Sequence, residues 1–169
     1  MAHALRLRRR GPTWPAYAAA IWAVAFGCLS FYWALGGHLG LGTLAAEIRQ
    51  KALAREDGFM LVVWVTGACK VALALLPLAL VRQWRVGVQR RWLRAGAWFC
   101  GVALALYGAM GIVNGALTQL GMLSPEDANG ARWYLFLWGP VWLTGGLLVL
   151  ASVWRSPNEP RIQHVGDSR

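Results

Sequence analysis

Four apolar stretches dominate this chain of 169 residues: Trp14 to Leu35, Gly58 to Val81, Ala95 to Leu120 and Trp133 to Trp154. Each reaches the ~20 residues an α-helix needs to cross the hydrocarbon of a bilayer. Together they hold a single formal charge, Lys70. Soluble helices keep a polar stripe along one side, and a soluble bundle rarely lacks it four times in succession. Charged residues make up 14% of the chain, against about a quarter in ordinary soluble domains. The pattern predicts an all-α fold: one transmembrane four-helix bundle over residues 14–154, between a basic N-terminus (1–13) and a tail (155–169).

The formal net charge of +10 would suit a nucleic-acid binder, but its distribution argues for no nucleic acid. Twelve arginines fall on one side of the spans: Arg6, Arg8, Arg9 and Arg10, then Arg82, Arg85, Arg90, Arg91 and Arg94, then Arg155, Arg161 and Arg169. The other side carries Arg49, Lys51, Arg55 and Arg132, with five of the seven acids. Positive-inside bias then places both termini in the cytoplasm and the protein, multi-pass, in the cytoplasmic membrane. The arginine clusters should also attract anionic lipid head groups. Trp14, Trp84, Trp92, Trp98 and Trp154 fall near the inner boundary, and Trp33, Trp64, Trp133 and Trp138 near the outer one, as aromatic belts do. Trp22 and Trp142 lie deeper, where packing or a cavity must satisfy their indole donors. The first apolar run is longer than the core of a secretory signal, so it is read as an uncleaved helix.

Between the first two spans, Gly36, Gly37, Gly40 and Gly42 should turn the chain into the outer interface. Thr43 is expected to cap a short interfacial helix with Leu44, Ile48 and Ala52 on one side and Glu47, Arg49 and Lys51 toward water. A partly inserted re-entrant segment is the alternative. Pro77 should kink span two, and Gly111-x-x-x-Gly115 should bring span three close to a neighbour.

Lys70 lies about 18 Å from Gly58 and about 16 Å from Val81 along a helix, so it sits at mid-membrane. A charge there is expensive and marks a candidate site. All seven acids lie outside the apolar stretches, which leaves no carboxylate at its depth. Thr66 shares its face one turn away, and Tyr107, Gly111, Asn114 and Thr118 follow one face of span three. The expected site is a polar pocket of Thr66, Lys70, Tyr107 and Asn114, joined by Ser30, with His38 and Glu47 at the outer rim. A hydrogen-bond cluster without a ligand is the bland alternative. Cys28, Cys69 and Cys100 stand one per span without a C-x-x-C pair, which argues against thiol exchange. His38 alone lies near a span, which removes paired histidine ligation of haem. The sequence calls for no metal and no cofactor.

Phe31-Tyr32-Trp33-Ala34-Leu35-Gly36-Gly37, Trp64-Val65-Thr66-Gly67 with Lys70, Leu106-Tyr107-Gly108 with Asn114, and Arg132-Trp133-Tyr134 through Trp138, Pro140, Trp142, Gly145 and Gly146 resemble a family of small bacterial four-span membrane proteins classed as a domain of unknown function. That family often has an acid before the last-span proline, where this chain has Gly139. The resemblance implies fold and location but no reaction. Three functions follow: binding of a lipid, a small amphipathic ligand or a partner's helix around Lys70; a membrane enzyme acting on a lipid-like substrate; or a small oligomeric transporter. Membrane lipids, a second copy of the chain or another membrane protein are the expected partners.

Overall fold

The computed structural model describes residues 13–82, 88–123 and 127–155. The arginines at 6–10, Arg85, Arg161 and Arg169 lie outside the described residues, as does Trp84. The chain forms α1 (Trp14–Ala34), a single 3-10 turn (Leu41–Thr43), α2 (Ala46–Ala54), α3 (Asp57–Arg82) and α4 (Val88–Gln119). It closes with α5 (Ala128–Trp133), a π turn (Tyr134–Trp138) and α6 (Gly139–Arg155). The last three run on as one helical span, Ala128–Arg155.

Four helices are long and apolar enough to cross a membrane. Their outward surface agrees: Ile21, Leu61, Phe99, Met110 and Phe136 are all more than 60% exposed, a surface that water would not tolerate over such an area. At α1, Pro15 falls in the first turn, where its missing N–H removes no helical bond. Helix α3 continues past a buried Pro77 to Arg82. Helix α4 begins at Val88, well before Ala95, so its first turns carry Arg90, Arg91 and Arg94.

Two tight pairs make the bundle, α1 with α3 and α4 with α6; α1 joins the pairs through α6, and α3 touches α4 only sparsely. Lipid chains give helices no hydrophobic reason to associate, so contact depends on close packing. The α4–α6 seam uses glycines seven residues apart. A Cβ on Gly108 would press on the Leu143 backbone and come within 2.7 Å of the Gly139 carbonyl, and one on Gly146 would press on the Ala105 backbone, 2.7 Å from the Gly101 carbonyl. A Cβ on Gly115 would meet the Ala131 carbonyl at 2.6 Å. Gly101, Gly108 and Gly115 therefore form the contact row on α4, whereas Gly111 faces the Tyr134 ring. Gly111 and Gly115 both approach the last span, as the Gly111-x-x-x-Gly115 spacing suggested, and the seven-residue row extends that contact on one face over the whole helix.

Helix ends alternate, so the first turns of α1 and α4 and the last turns of α3 and α6 share one end of the bundle, the terminal end. Its core is Ala19, Leu80, Ala97, Val149 and Val153, and Arg155 lies over the Trp14 ring at 5.8 Å. At the opposite, loop end the segment from Gly36 to Ala54 folds back across the helices. Leu41 and Leu44 are buried there against Trp138. Gly36 and Gly40 have φ of 99° and 82°, a left-handed backbone that glycine adopts without penalty.

Candidate functional site

Lys70 emerges from α3 into a cavity of about 540 Å³ at the loop end of the bundle. Helix α1 contributes Phe26, Leu29, Ser30 and Trp33, one face at 3- and 4-residue steps. Tyr134, Trp138 and Trp142 follow at 4-residue steps on the last span, and Leu104 and Tyr107 come from α4. The π turn at Tyr134–Trp138 precedes Pro140, which cannot donate to the carbonyl four residues back. Such an extra residue in a turn often marks functional sites; here it helps to set two of the cavity's rings.

The Lys70 ammonium donates to Ser30 Oγ at 2.8 Å. Ser30 donates its own proton to the Phe26 carbonyl at 3.2 Å, so its lone pairs are free to face the amine. The α1–α3 approach explains the proximity: a Cβ on Gly67 would stand 2.6 Å from the Phe31 ring and 3.2 Å from Ser30 Cβ. Two ring faces complete the surroundings, Trp142 with its centroid 5.4 Å from Nζ and Phe26 at 6.0 Å. These are cation–π distances. Below them Trp22 stacks on Phe26 at 5.0 Å and donates to the Val141 carbonyl at 3.1 Å, which satisfies the deep indole.

Thr66 and Tyr107 line the same cavity. Thr66 donates to the Val63 carbonyl at 3.0 Å. The hydroxyls of Tyr107 and Tyr134 lie 3.1 Å apart. Asn114 is not brought to Lys70; it lines a neighbouring groove of about 690 Å³ with Thr118 and Asp127, and the Tyr107–Tyr134 pair borders both spaces. His38 is exposed and lines neither space. Glu47 is also outside both, paired with Lys51 at 2.6 Å one helical turn away. The expected rim is instead apolar: Leu41, Leu44, Ile48 and Ala52 close the cavity from above.

Four hydrogen bonds tie that cover to the last span and the residue that caps it. Trp138 Nε1 donates to the Thr43 carbonyl at 3.0 Å and to Thr43 Oγ1 at 3.2 Å. Asn129 Nδ2 donates to the Gly42 carbonyl at 3.2 Å. The Ala46 N–H donates to Asp127 Oδ2 at 2.6 Å. Asp127 Oδ1 also accepts from Gly130 N at 3.0 Å, so one carboxylate caps both α2 and α5. These backbone donors, Gly130 first and then Ala46, hold the Asp127 carboxyl below its ordinary range. Thr43 does not cap α2, as the sequence suggested. Its hydroxyl donates to the Gly40 carbonyl at 2.6 Å, and Ala45 occupies the cap position with no side-chain bond. Trp138 is likewise buried as an anchor for the cover and is no part of a surface belt.

Sequence reasoning missed Phe26, Tyr134 and Trp138 as walls of the site, although the 4-residue aromatic spacing of 134, 138 and 142 is a legible signal. Asp127 gave no such signal, because its second partner comes from the distant Ala46.

The chain matches the family described as protein of unknown function (DUF3995) over residues 23–149. It belongs to that family, and every described residue lining the Lys70 cavity lies within the matched region. No curated protein and no solved structure matches it.

Proposed function

We propose that this DUF3995 member is a membrane protein that binds an amphipathic molecule, with the molecule's hydrogen-bond-accepting head on Lys70 and its apolar body among the rings above. The observation that carries this is an ammonium bonded to Ser30 inside a largely apolar, aromatic cavity of about 540 Å³. That volume lies within the range of small-molecule sites, which join apolar walls to a few converging polar groups. An ammonium has three N–H donors; Ser30 takes one and leaves capacity for a ligand.

Access fits a lipid-phase ligand. Helices α3 and α4 touch sparsely, and the cavity residues Val62, Thr66 and Tyr107 are exposed. The cavity therefore opens sideways between these helices, while the segment above it is tied down. Positive-inside bias supports a cytoplasmic-membrane location with both termini inside, and the arginine-rich side suits contact with anionic head groups.

Native mass spectrometry of the protein extracted from its host membrane tests the reading. Wild-type protein should carry a bound small molecule that Lys70→Met loses, at equal yield and equal thermal stability of the two proteins. Identical bound species in both would overturn it. Turnover of a bound lipid by wild-type protein, absent in the variant, would favour the enzyme reading over simple binding.

A further inference from the structure

The chemistry around Lys70 also selects the kind of head group, given the ligand-binding reading above. We infer that the cavity takes a neutral lipid whose head is a flat ring bearing a carbonyl oxygen, as in a membrane quinone, and that it does not take an anionic lipid.

The lysine already has much of what a buried cation needs. Ser30 Oγ accepts from it at 2.8 Å, and the faces of Trp142 and Phe26 lie 5.4 and 6.0 Å away. A hydroxyl and two π faces stabilise the charge without a counter-ion. The remaining ammonium donors then call for an acceptor oxygen, and a neutral one suffices.

Lys70 is also the only cation among the described residues that line the cavity. Its other polar side-chain groups are the hydroxyls of Ser30, Thr66, Tyr107 and Tyr134 and the indole N–H groups of Trp33, Trp138 and Trp142, and the Tyr107 and Tyr134 hydroxyls lie within hydrogen-bond distance of each other. A phosphate head is bound best where several cationic side chains converge, and among the described lining residues it meets one. It would also have to travel about 16 Å or more from either boundary, between apolar helices. A head of carbonyl polarity makes that journey at far lower cost.

Wall geometry favours a ring. Phe26, Trp138, Trp142 and Tyr107 meet one another edge-on, with centroids 5.2 to 6.0 Å apart and interplanar angles of 64° to 90°. Edges and faces so presented suit a flat, polarisable insert, which aromatic side chains bind through offset or edge contacts. Beyond the rings the lining turns aliphatic, with Leu41, Leu44, Ile48, Met60 and Val63. A prenyl tail would follow these residues and leave through the gap between α3 and α4.

Full-length protein in nanodiscs of neutral phospholipid is titrated with three probes: a benzoquinone bearing two prenyl units, farnesol and oleate. Isothermal titration and tryptophan quenching are read together, since Trp33, Trp138 and Trp142 line the cavity. The quinone should bind saturably and at least tenfold more tightly than farnesol or oleate. Lys70→Met should weaken it at least tenfold. Should that variant fail to fold, Ser30→Ala serves instead and should weaken it severalfold.

Oleate binding most tightly, in a Lys70-dependent way, would overturn the neutral head and leave the ligand-binding reading standing. Farnesol equal to the quinone would overturn the ring. Failure of all three probes, with a native lipid still lost from Lys70→Met, would sink this inference alone. Failure of all three with no Lys70-dependent native lipid would sink both readings.

Discussion

The two ends of the bundle are packed by opposite means. At the terminal end, Ala19, Ala97 and Val149 are 0% exposed and Leu80 and Val153 are 1% exposed, and Gly101 and Gly146 let backbones nearly touch. At the loop end, Phe26, Trp33, Tyr134, Trp138 and Trp142 cluster beneath Leu41 and Leu44, and about 540 Å³ is left open. Small residues pack solidly because little has to interdigitate. Large rigid rings meet edge-on and leave space. One fold thus holds a stiff half that fixes the helix axes and a hollow half that can hold a guest, with Lys70 at the boundary.

The most damaging test adds volume to the stiff half. Gly146→Val would drive a branched side chain into the Ala105 backbone. Because backbone cannot rotate away as a side chain does, the cost should exceed the ~1–3 kcal/mol of ordinary overpacking. Thermal unfolding in detergent should show a large fall in Tm or no folded protein. An unchanged Tm would break the contrast between the two halves.

In the hollow half, Trp138→Phe keeps most of the ring and removes the donor to Thr43. Stability should fall by about 1 kcal/mol, the usual net worth of a hydrogen bond. Hydrogen exchange should quicken across residues 41–54 while the terminal end of α4 stays protected. Uniform quickening would show that the two halves are not independent.

Asp127→Ala removes a cap from two helices at once, at a cost of about 1–2 kcal/mol. The same group predicts a pH dependence. Its carboxyl is held below its ordinary range in the folded protein, so the contribution is fully present above the unfolded value of about 4 and is lost as pH falls through the lower folded value. Exchange at 41–54 should therefore be flat from pH 7 to about 5, after correction for intrinsic rates, and should rise only in stronger acid. A rise near neutral pH would remove Asp127 as the cause.

The smallest effect belongs to Glu47→Gln. Its partner Lys51 bonds to it at 2.6 Å and lowers its pKa, but exposed pairs contribute little. No measurable change in Tm is expected, and a clear fall would show that α2 depends on that pair.

Much of this architecture was legible in the chain. Long charge-free runs have few ways to satisfy their backbones in lipid, so four helices follow from hydropathy alone. Lys70 was visible because one ammonium stands out against a run such as Val71-Ala72-Leu73-Ala74-Leu75-Leu76. Tyr107 could be placed at its level by counting rise along antiparallel helices, whereas the same count puts Ser30 about 10 Å nearer the loop end, and the outstretched ammonium meets it only in the packed bundle. Asn114 does share one face with Tyr107, Gly111 and Thr118, and all four line one groove; it misses the lysine because it stands about 10 Å further along that face, beyond the Tyr107–Tyr134 pair. Gly139 is explained as well. A Cβ there would meet the Gly108 carbonyl at 3.0 Å and the Tyr134 carbonyl at 2.6 Å, so this packing has no room for an acid.

The sequence by itself determined the number of helices and the depth of the lysine, because both depend on distance along a chain and on the cost of placing charge in hydrocarbon. Tertiary structure alone decided what the lysine meets. Ser30, Phe26 and Trp142 come to it from two other helices, and Asp127 and Trp138 tie a distant loop over the same cavity. Those contacts depend on helix rotation and on glycine-permitted approach, which become definite only when the four helices are packed together.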